Sequence, residues 1–365
     1  MSNFYIYNKS KNLIGILQNI ISVQWYEAYQ EAGEAKITAR ATDENKEFLD
    51  VGNRIYNDDY TSSARIVNVE YHVSGKDEII VARAEITSSL LDLRVVMATK
   101  NVTNAESGMR SIYNSNRRAL PVELGASKGY TNKVDTQITW GSVYDAIKTI
   151  AESSGLGFKV VFDPQSATET FEIYRGVDRS AIAHYIGYFG TDIGNITNLT
   201  VIEGIENYRN VVVIAGEGEG ASRKVKVFAL KKNLTGISRK EMFVDARDIQ
   251  SEYQIATETG EKDDDGNPIY TYSQGTYSTD EYNALLKARA MEKLAEQIKT
   301  LDISCDADQT SIRFGKDYNL GDRMPIKINS IGLAVSARVN NVNTIYEEKG
   351  KTVKISFDDF EIEEE

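Results

Sequence analysis

Two segments near opposite ends of the chain repeat the same order of signals. Ser63-Ala64-Arg65-Ile66-Val67-Asn68-Val69 returns as Ser336-Ala337-Arg338-Val339-Asn340-Asn341-Val342. Each copy follows a turn cluster, Val51-Gly52-Asn53-Arg54-Ile55 in the first and Leu320-Gly321-Asp322-Arg323-Met324 in the second. A turn, a short strand, a loop and an Arg-Ile or Arg-Val strand make one β unit used twice. The competing reading is that two Gly-Asx-Arg turns ahead of amphipathic strands coincide by chance. Duplication matters for symmetry, because a trimer of a twice-repeated domain presents six similar units and can seat on a sixfold partner.

At 365 residues the chain exceeds one typical core and fits two to four domains. Met1-Ser2-Asn3-Phe4-Tyr5 lacks the basic start and apolar run of a secretory signal, and the longest strongly apolar stretch, Val211 to Ala215, is a strand's length. No membrane anchor is expected. A single cysteine, Cys305, forbids an intrachain disulfide and fits synthesis in a reducing cytoplasm. The net charge of -12 opposes counterion-release binding to a nucleic acid backbone, so no nucleic-acid specificity is expected.

The first hundred residues carry short strands at close spacing. Glu34 to Arg40 alternates, Val67, Val69, Tyr71 and Val73 line one face of a second strand, and Gly75-Lys76-Asp77 turns the chain into a third, Glu78 to Ile86. Asn104 caps a helix with Met109, Ile112 and Tyr113. Ser142 and Asp145 form a capping box for a second helix with Val143, Ile147, Ile150 and Ala151 on one face, stopped by Gly155. Phe158 to Phe162 and Thr170 to Tyr174 then pair across an Asp163-Pro164 turn. A second capping box, Ser278 to Glu281, opens the strongest helix, whose stripe Tyr282, Leu286, Ala290, Leu294 and Ile298 needs a packing surface. The pattern predicts a β-rich α+β chain with two similar antiparallel β-barrel domains plus small α/β and helical insert domains. The first barrel spans 1–103, the α/β domain 104–178, a discontinuous second barrel 179–240 and 303–360, and the insert 241–302 with helix 281–299.

The search for chemistry yields exclusions. Gly216-Glu217-Gly218-Glu219-Gly220 after an apolar strand has GxGxG spacing, two anionic residues that repel phosphate, and a strand where a dinucleotide loop needs a helix; it predicts a hairpin tip. Asp263-Asp264-Asp265-Gly266-Asn267 resembles part of a calcium loop. Counting from Glu261 puts Tyr272 where a bidentate glutamate belongs, which leaves a solvated turn or weak calcium binding over 261–272. His72 and His184 stand in no metal or catalytic spacing. No catalytic, cofactor-binding or metal residue is nominated, and no enzyme activity is expected. Trp25, Trp140 and the 21 tyrosines suit strands and cores, and tyrosine also suits interfaces, where it is enriched.

Taken in order, Trp25 and the Gly33-Glu34-Ala35 strand, the Trp140-Gly141-Ser142 helix start, and Leu320-Gly321-Asp322-Arg323 followed by strands resemble the bacteriophage tail-hub (baseplate hub) proteins. These include the N-terminal hub region of tail-associated lysins and related prophage tail proteins. The resemblance covers nearly the whole chain and implies a phage tail-hub-like fold. It implies a structural tail-tip protein of the virion, made in the bacterial host cytoplasm, without cofactors. It further implies a homotrimer joining the sixfold tail tube or distal-tail ring to threefold tip components, closing the tube end and holding a tail fibre, spike or tape-measure protein. The longer lysins continue into hydrolase or receptor-binding modules, for which no room is expected after Glu365. The alternatives are a tail-associated peptidoglycan or glycan hydrolase and a carbohydrate-binding β protein.

Overall fold

The computed structural model describes residues 2–75, 77–179, 187–262, 268–297 and 300–362. The chain divides into two compact units, one of residues 1–201 with 302–365 and one of 202–301. Strands predominate, arranged in several sheets.

In the first unit the long sheet runs from strand Ile196–Gly204 through Thr300–Ala307, Gly350–Ile362, Leu333–Glu347, Ile20–Ala28, Glu34–Arg40, Asp77–Ile86, Ala64–Ser74, Arg54–Tyr56 and Tyr5–Tyr7 to Leu13–Ile16. Arg323–Ile328 joins off this path against Leu333–Glu347. Most strands anticipated as two barrels are therefore hydrogen-bonded into one sheet, with no closed barrel among the described residues, whereas Val211–Ala215 and Val225–Ala229, anticipated in the second barrel, pair in the sheet of the other unit. The join is the antiparallel pairing of Ile20–Ala28 with Leu333–Glu347, which sets Trp25 against Thr344 and Val23 against Tyr346. All four side chains are buried, as period-2 alternation requires of one inward face.

The sequence repeat is a repeat of hydrogen bonds. Arg54 faces Arg65 and Ile55 faces Ala64; Arg323 faces Arg338 and Met324 faces Ala337. Gly52 N–H donates to Ile66 C=O and Ile66 N–H to Asn53 C=O, while Gly321 N–H donates to Val339 C=O and Val339 N–H to Asp322 C=O. Both glycines adopt the left-handed backbone, φ +94° and +88°, where a side chain is strained. A register shift follows in each copy, between Ile66 and Asn68 and between Val339 and Asn341. The extra residue lets Ile66 and Val69 both reach the core, while Tyr71 and Val73, farther along the expected apolar face, stand exposed.

Helices Ala105–Asn116 and Val143–Ser154 pack with strands Gly157–Asp163 and Thr168–Tyr174 around Met109, Ile112, Ile147, Ile150, Phe158 and Phe171. Asn104 Oδ1 accepts from Ser107 N–H at 2.9 Å, the expected cap, and Gly155 ends the second helix at φ +71°. The Ser142 box is only half formed. Its hydroxyl accepts from Tyr144 N–H and donates to Asp92, and Asp145, a methylene shorter than the glutamate such a box prefers, makes no return bond. Buried Glu106 accepts from Ser127 Oγ, Lys128 N–H and Tyr130 N–H, pinning the following loop to the first helix.

In the second unit strands Val225–Ala229, Val211–Ala215 and Glu241–Asp245 form a sheet in that order, and helix Thr279–Ala295 covers one face. Tyr282, Leu286, Ala290 and Leu294 supply the expected stripe, with each buried leucine contributing about 1.5–3 kcal/mol. Ser278 and Glu281 complete a reciprocal capping box. The helix ends at Ala295, short of the predicted 299, and Ile298 and Lys299 lie outside the described residues. Strands Glu252–Lys262 and Pro268–Thr276 pair as a hairpin; residues 263–267 of the calcium-loop candidate also lie outside the described residues.

Candidate functional site

Several segments of the first unit converge on Tyr29, one residue past strand Ile20–Ala28. Its N–H donates to Asn340 C=O at 2.9 Å, its C=O accepts from Phe158 N–H, and its hydroxyl reaches the carbonyls of Gly155 and Tyr174 at 3.2 and 3.3 Å. The Arg338 guanidinium lies 5.1 Å above the ring. A Cβ on Gly157 or Gly321 would fall 2.2 or 2.3 Å from ring carbons, so only glycine admits this packing. One buried ring thus ties the N-terminal strands, the α/β element and the second repeat together.

Ion pairs surround this junction. Asp322, the Asx of the second repeat, accepts from Arg179 Nε at 2.6 Å, Val177 N–H at 2.7 Å and Asn319 N–H at 2.9 Å. Arg323 and Arg338 converge on Asp359, which adopts φ +50°. The adjacent Asp358 carboxyl is pushed up to about 6 by burial, against the pull of Arg338. In the first repeat the corresponding arginines choose other partners. Arg54 grips buried Glu169 through Nε and Nη2, with Lys11 Nζ 2.8 Å from the same carboxylate, while Arg65 stands 3.9 Å from Glu85. Burial raises the Asp59 carboxyl, and bonds from Tyr346, Lys351 and Ser2 more than offset this and hold it low.

A cavity of about 480 Å³ opens beside the junction, lined by Glu27, Asp59, Lys159, Tyr174, Arg175 and Asp322 among others. The Glu27 carboxyl at its wall is pushed up to about 7 by burial, opposed by hydrogen bonds from Trp25 and Ser62 and the charge of Lys159. A raised carboxyl favours the protonated folded state, so its stabilising effect is complete below about pH 4.5 and disappears as pH rises through about 7. Glu27→Gln, uncharged at every pH and still an acceptor for Trp25, should match the parent near pH 4.5 and exceed its stability at about pH 8. Urea midpoints across that range test this; a gap that fails to widen with pH means the carboxylate is solvated.

Among the described residues no three His, Cys, Asp or Glu side chains gather to hold a metal, and no helix is long and apolar enough to cross a membrane. Cys305 is buried and its thiol pushed up to about 12, first by burial and then by Asp306, so it carries little thiolate near neutrality. His72 is an exposed strand residue 3.4 Å from Glu70; His184 lies outside the described residues. The glycine-rich segment joins antiparallel strands Val211–Ala215 and Val225–Ala229, as expected of a hairpin tip. Glu217 within it is bound by Lys224 and Ser251, which lower its carboxyl to about 2. Asp322 is marked in the sequence only as the turn residue of the second repeat, and Tyr29 and Glu27 carry no local signal.

A family model described as Siphovirus ReqiPepy6 Gp37-like protein matches residues 3–357. Three solved structures share the fold over nearly their full lengths. The tail protein from Neisseria meningitidis MC58 aligns at TM-score 0.60 and 13% identity, covering 98% of this chain and 96% of its own. The prophage MuSo2 43 kDa tail protein from Shewanella oneidensis aligns at 0.61 and 8%, covering 98% of each. Prophage tail protein gp18 from Listeria monocytogenes EGD-e aligns at 0.51 and 12%, covering 97% and 94%. No curated protein matches the chain in sequence.

Proposed function

The chain belongs to the Siphovirus ReqiPepy6 Gp37-like family of phage tail proteins, and from that premise we propose that it is the hub of the tail tip. It is a structural tail protein, not an enzyme. Three copies would close into a ring that adapts the sixfold tube or distal-tail ring to threefold tip components, closes the tube end, and holds a fibre, spike or tape-measure protein. The observation carrying this reading is the repeat, whose two copies share turn, register and bulge. On this reading each copy is the kernel of one of two similar barrel-like domains, so a trimer offers six like surfaces to the tube where a dimer offers four. The expected organisation, with barrels at 1–103 and at 179–240 with 303–360, an α/β domain at 104–178 and an insert at 241–302, belongs to the same proposal, except that Val211–Ala215 and Val225–Ala229 pair with Glu241–Asp245 and go with the insert.

The expected subunit contact is of the obligate class, above about 2,000 Å². A reconstruction of the assembled tail tip should contain three copies at the tube's end. One, two or six copies would end the adaptor reading, whereas a monomer in dilute solution is compatible with assembly on the partner.

A further inference from the structure

Between Glu219 and Glu241 the chain carries seven cationic side chains and no carboxylate, within a protein of net charge -12. This segment contains strand Val225–Ala229, which lies at the edge of its three-stranded sheet and, among the described residues, pairs with Val211–Ala215 alone. Lys224 C=O accepts from Gly216 N–H, and Leu230 N–H donates to Asn210 C=O. By antiparallel alternation, the amides of Val225, Val227 and Ala229 therefore point away from the sheet. The two faces of this edge differ. Phe228 packs toward helix Thr279–Ala295, with Lys224 and Lys226 on the same side. Val225 and Val227 lie on the opposite face, where Val227, Val213 and Phe243 form a row across the sheet. Val225, Val227 and Phe243 are 50%, 53% and 61% exposed. Beyond the strand, Lys231, Lys232 and Arg239 line a shallow recess.

Lysines alone on an edge strand serve to block edge-to-edge aggregation. That role accounts for the charge but leaves the open valine and phenylalanine row unexplained. Lys226, Lys231 and Lys232 also enter none of the ion pairs found among the described residues. A second copy of the strand would set lysines against lysines, which is destabilising. We infer that the Val225–Ala229 edge receives an extended segment of a partner protein in which acidic and apolar residues alternate. The segment adds a fourth strand: its backbone bonds the outward amides, its carboxylates meet Lys224 and Lys226, and its apolar side chains extend the Val225, Val227 row. Alternation is the recognition rule, because neighbouring residues of a strand fall on opposite faces.

The probe is a fluorescent heptapeptide alternating glutamate and valine, titrated against the full chain by anisotropy beside a peptide of the same composition with its glutamates and valines segregated. The alternating peptide should bind saturably, at least about tenfold more tightly than the segregated one, and weaken as salt rises. Val227→Pro removes an outward N–H that the fold does not use, a change an edge strand tolerates, and should weaken binding by about tenfold. Lys226→Glu should do the same and keeps the test decisive if the proline variant fails to fold, as circular dichroism would reveal. Equal binding of both peptides, no saturable binding, or indifference to Lys226→Glu overturns the proposal. So does capture of single-stranded oligothymidylate or phosphatidylglycerol vesicles that the alternating peptide cannot displace.

Discussion

Replacing Arg54 by methionine should destabilise the protein by about 3–5 kcal/mol, the cost of leaving one member of a buried ion pair behind. The Glu169 side chain is fully buried, and Arg54 supplies both arms of its fork, at 2.5 and 3.2 Å. Lys11 remains on the carboxylate but offers a single point charge at a more open position. Glu169→Met should be similarly costly, because it strands the buried guanidinium. The double variant Arg54→Met with Glu169→Met should recover most of the loss, since apolar replacements of a whole buried pair are often neutral. Denaturant unfolding of the four proteins measures the coupling. A single-variant cost below about 1 kcal/mol means that water reaches the pair.

The equivalent glycines of the two repeats should respond unequally to alanine. Both carry the left-handed strain, worth about 1–2 kcal/mol. At Gly52 the nearest atoms a Cβ would meet belong to the flexible Lys9 side chain, at 3.1 Å, so Gly52→Ala should cost little beyond that strain. At Gly321 the Cβ would enter the buried Tyr29 ring, so Gly321→Ala adds an overpacking cost of about 1–3 kcal/mol. Thermal and denaturant unfolding should therefore rank Gly321→Ala clearly below Gly52→Ala. Equal losses would show that the Tyr29 ring can move aside.

The repeat, the Ser278 box and the Gly155 stop were legible because each is written within a few neighbouring residues. The shared Gly-Asx-Arg spacing marked the turn and strand of both β units, since a turn and the residues beside it are written locally. The partners of the arginines were not legible. Arg54 meets Glu169 from 115 positions away and Arg179 meets Asp322 from 143, and among 54 acidic residues no local rule selects those two. Tyr29 looked like one of 21 tyrosines, because the segments around it converge only in three dimensions. The cationic run from Arg223 to Lys240 was countable in the sequence, but a charge summed over the whole chain concealed it.

The pairing of Ile20–Ala28 with Leu333–Glu347 also sets the order of events on the ribosome. Strand Ile20–Ala28 emerges early, yet the residues that pair with it, from Asn341 to Glu347, are synthesised roughly 300 residues later. At about 5–20 residues per second this leaves one side of an apolar strand unpaired for roughly 15–60 seconds. Nascent chains arrested before residue 341 should therefore bind chaperones or aggregate, while chains carried past 347 should gain protease resistance in the 20–28 segment. Completion of this sheet coincides with late synthesis, so truncated products are denied the native pairing that would let them compete for places in a tail.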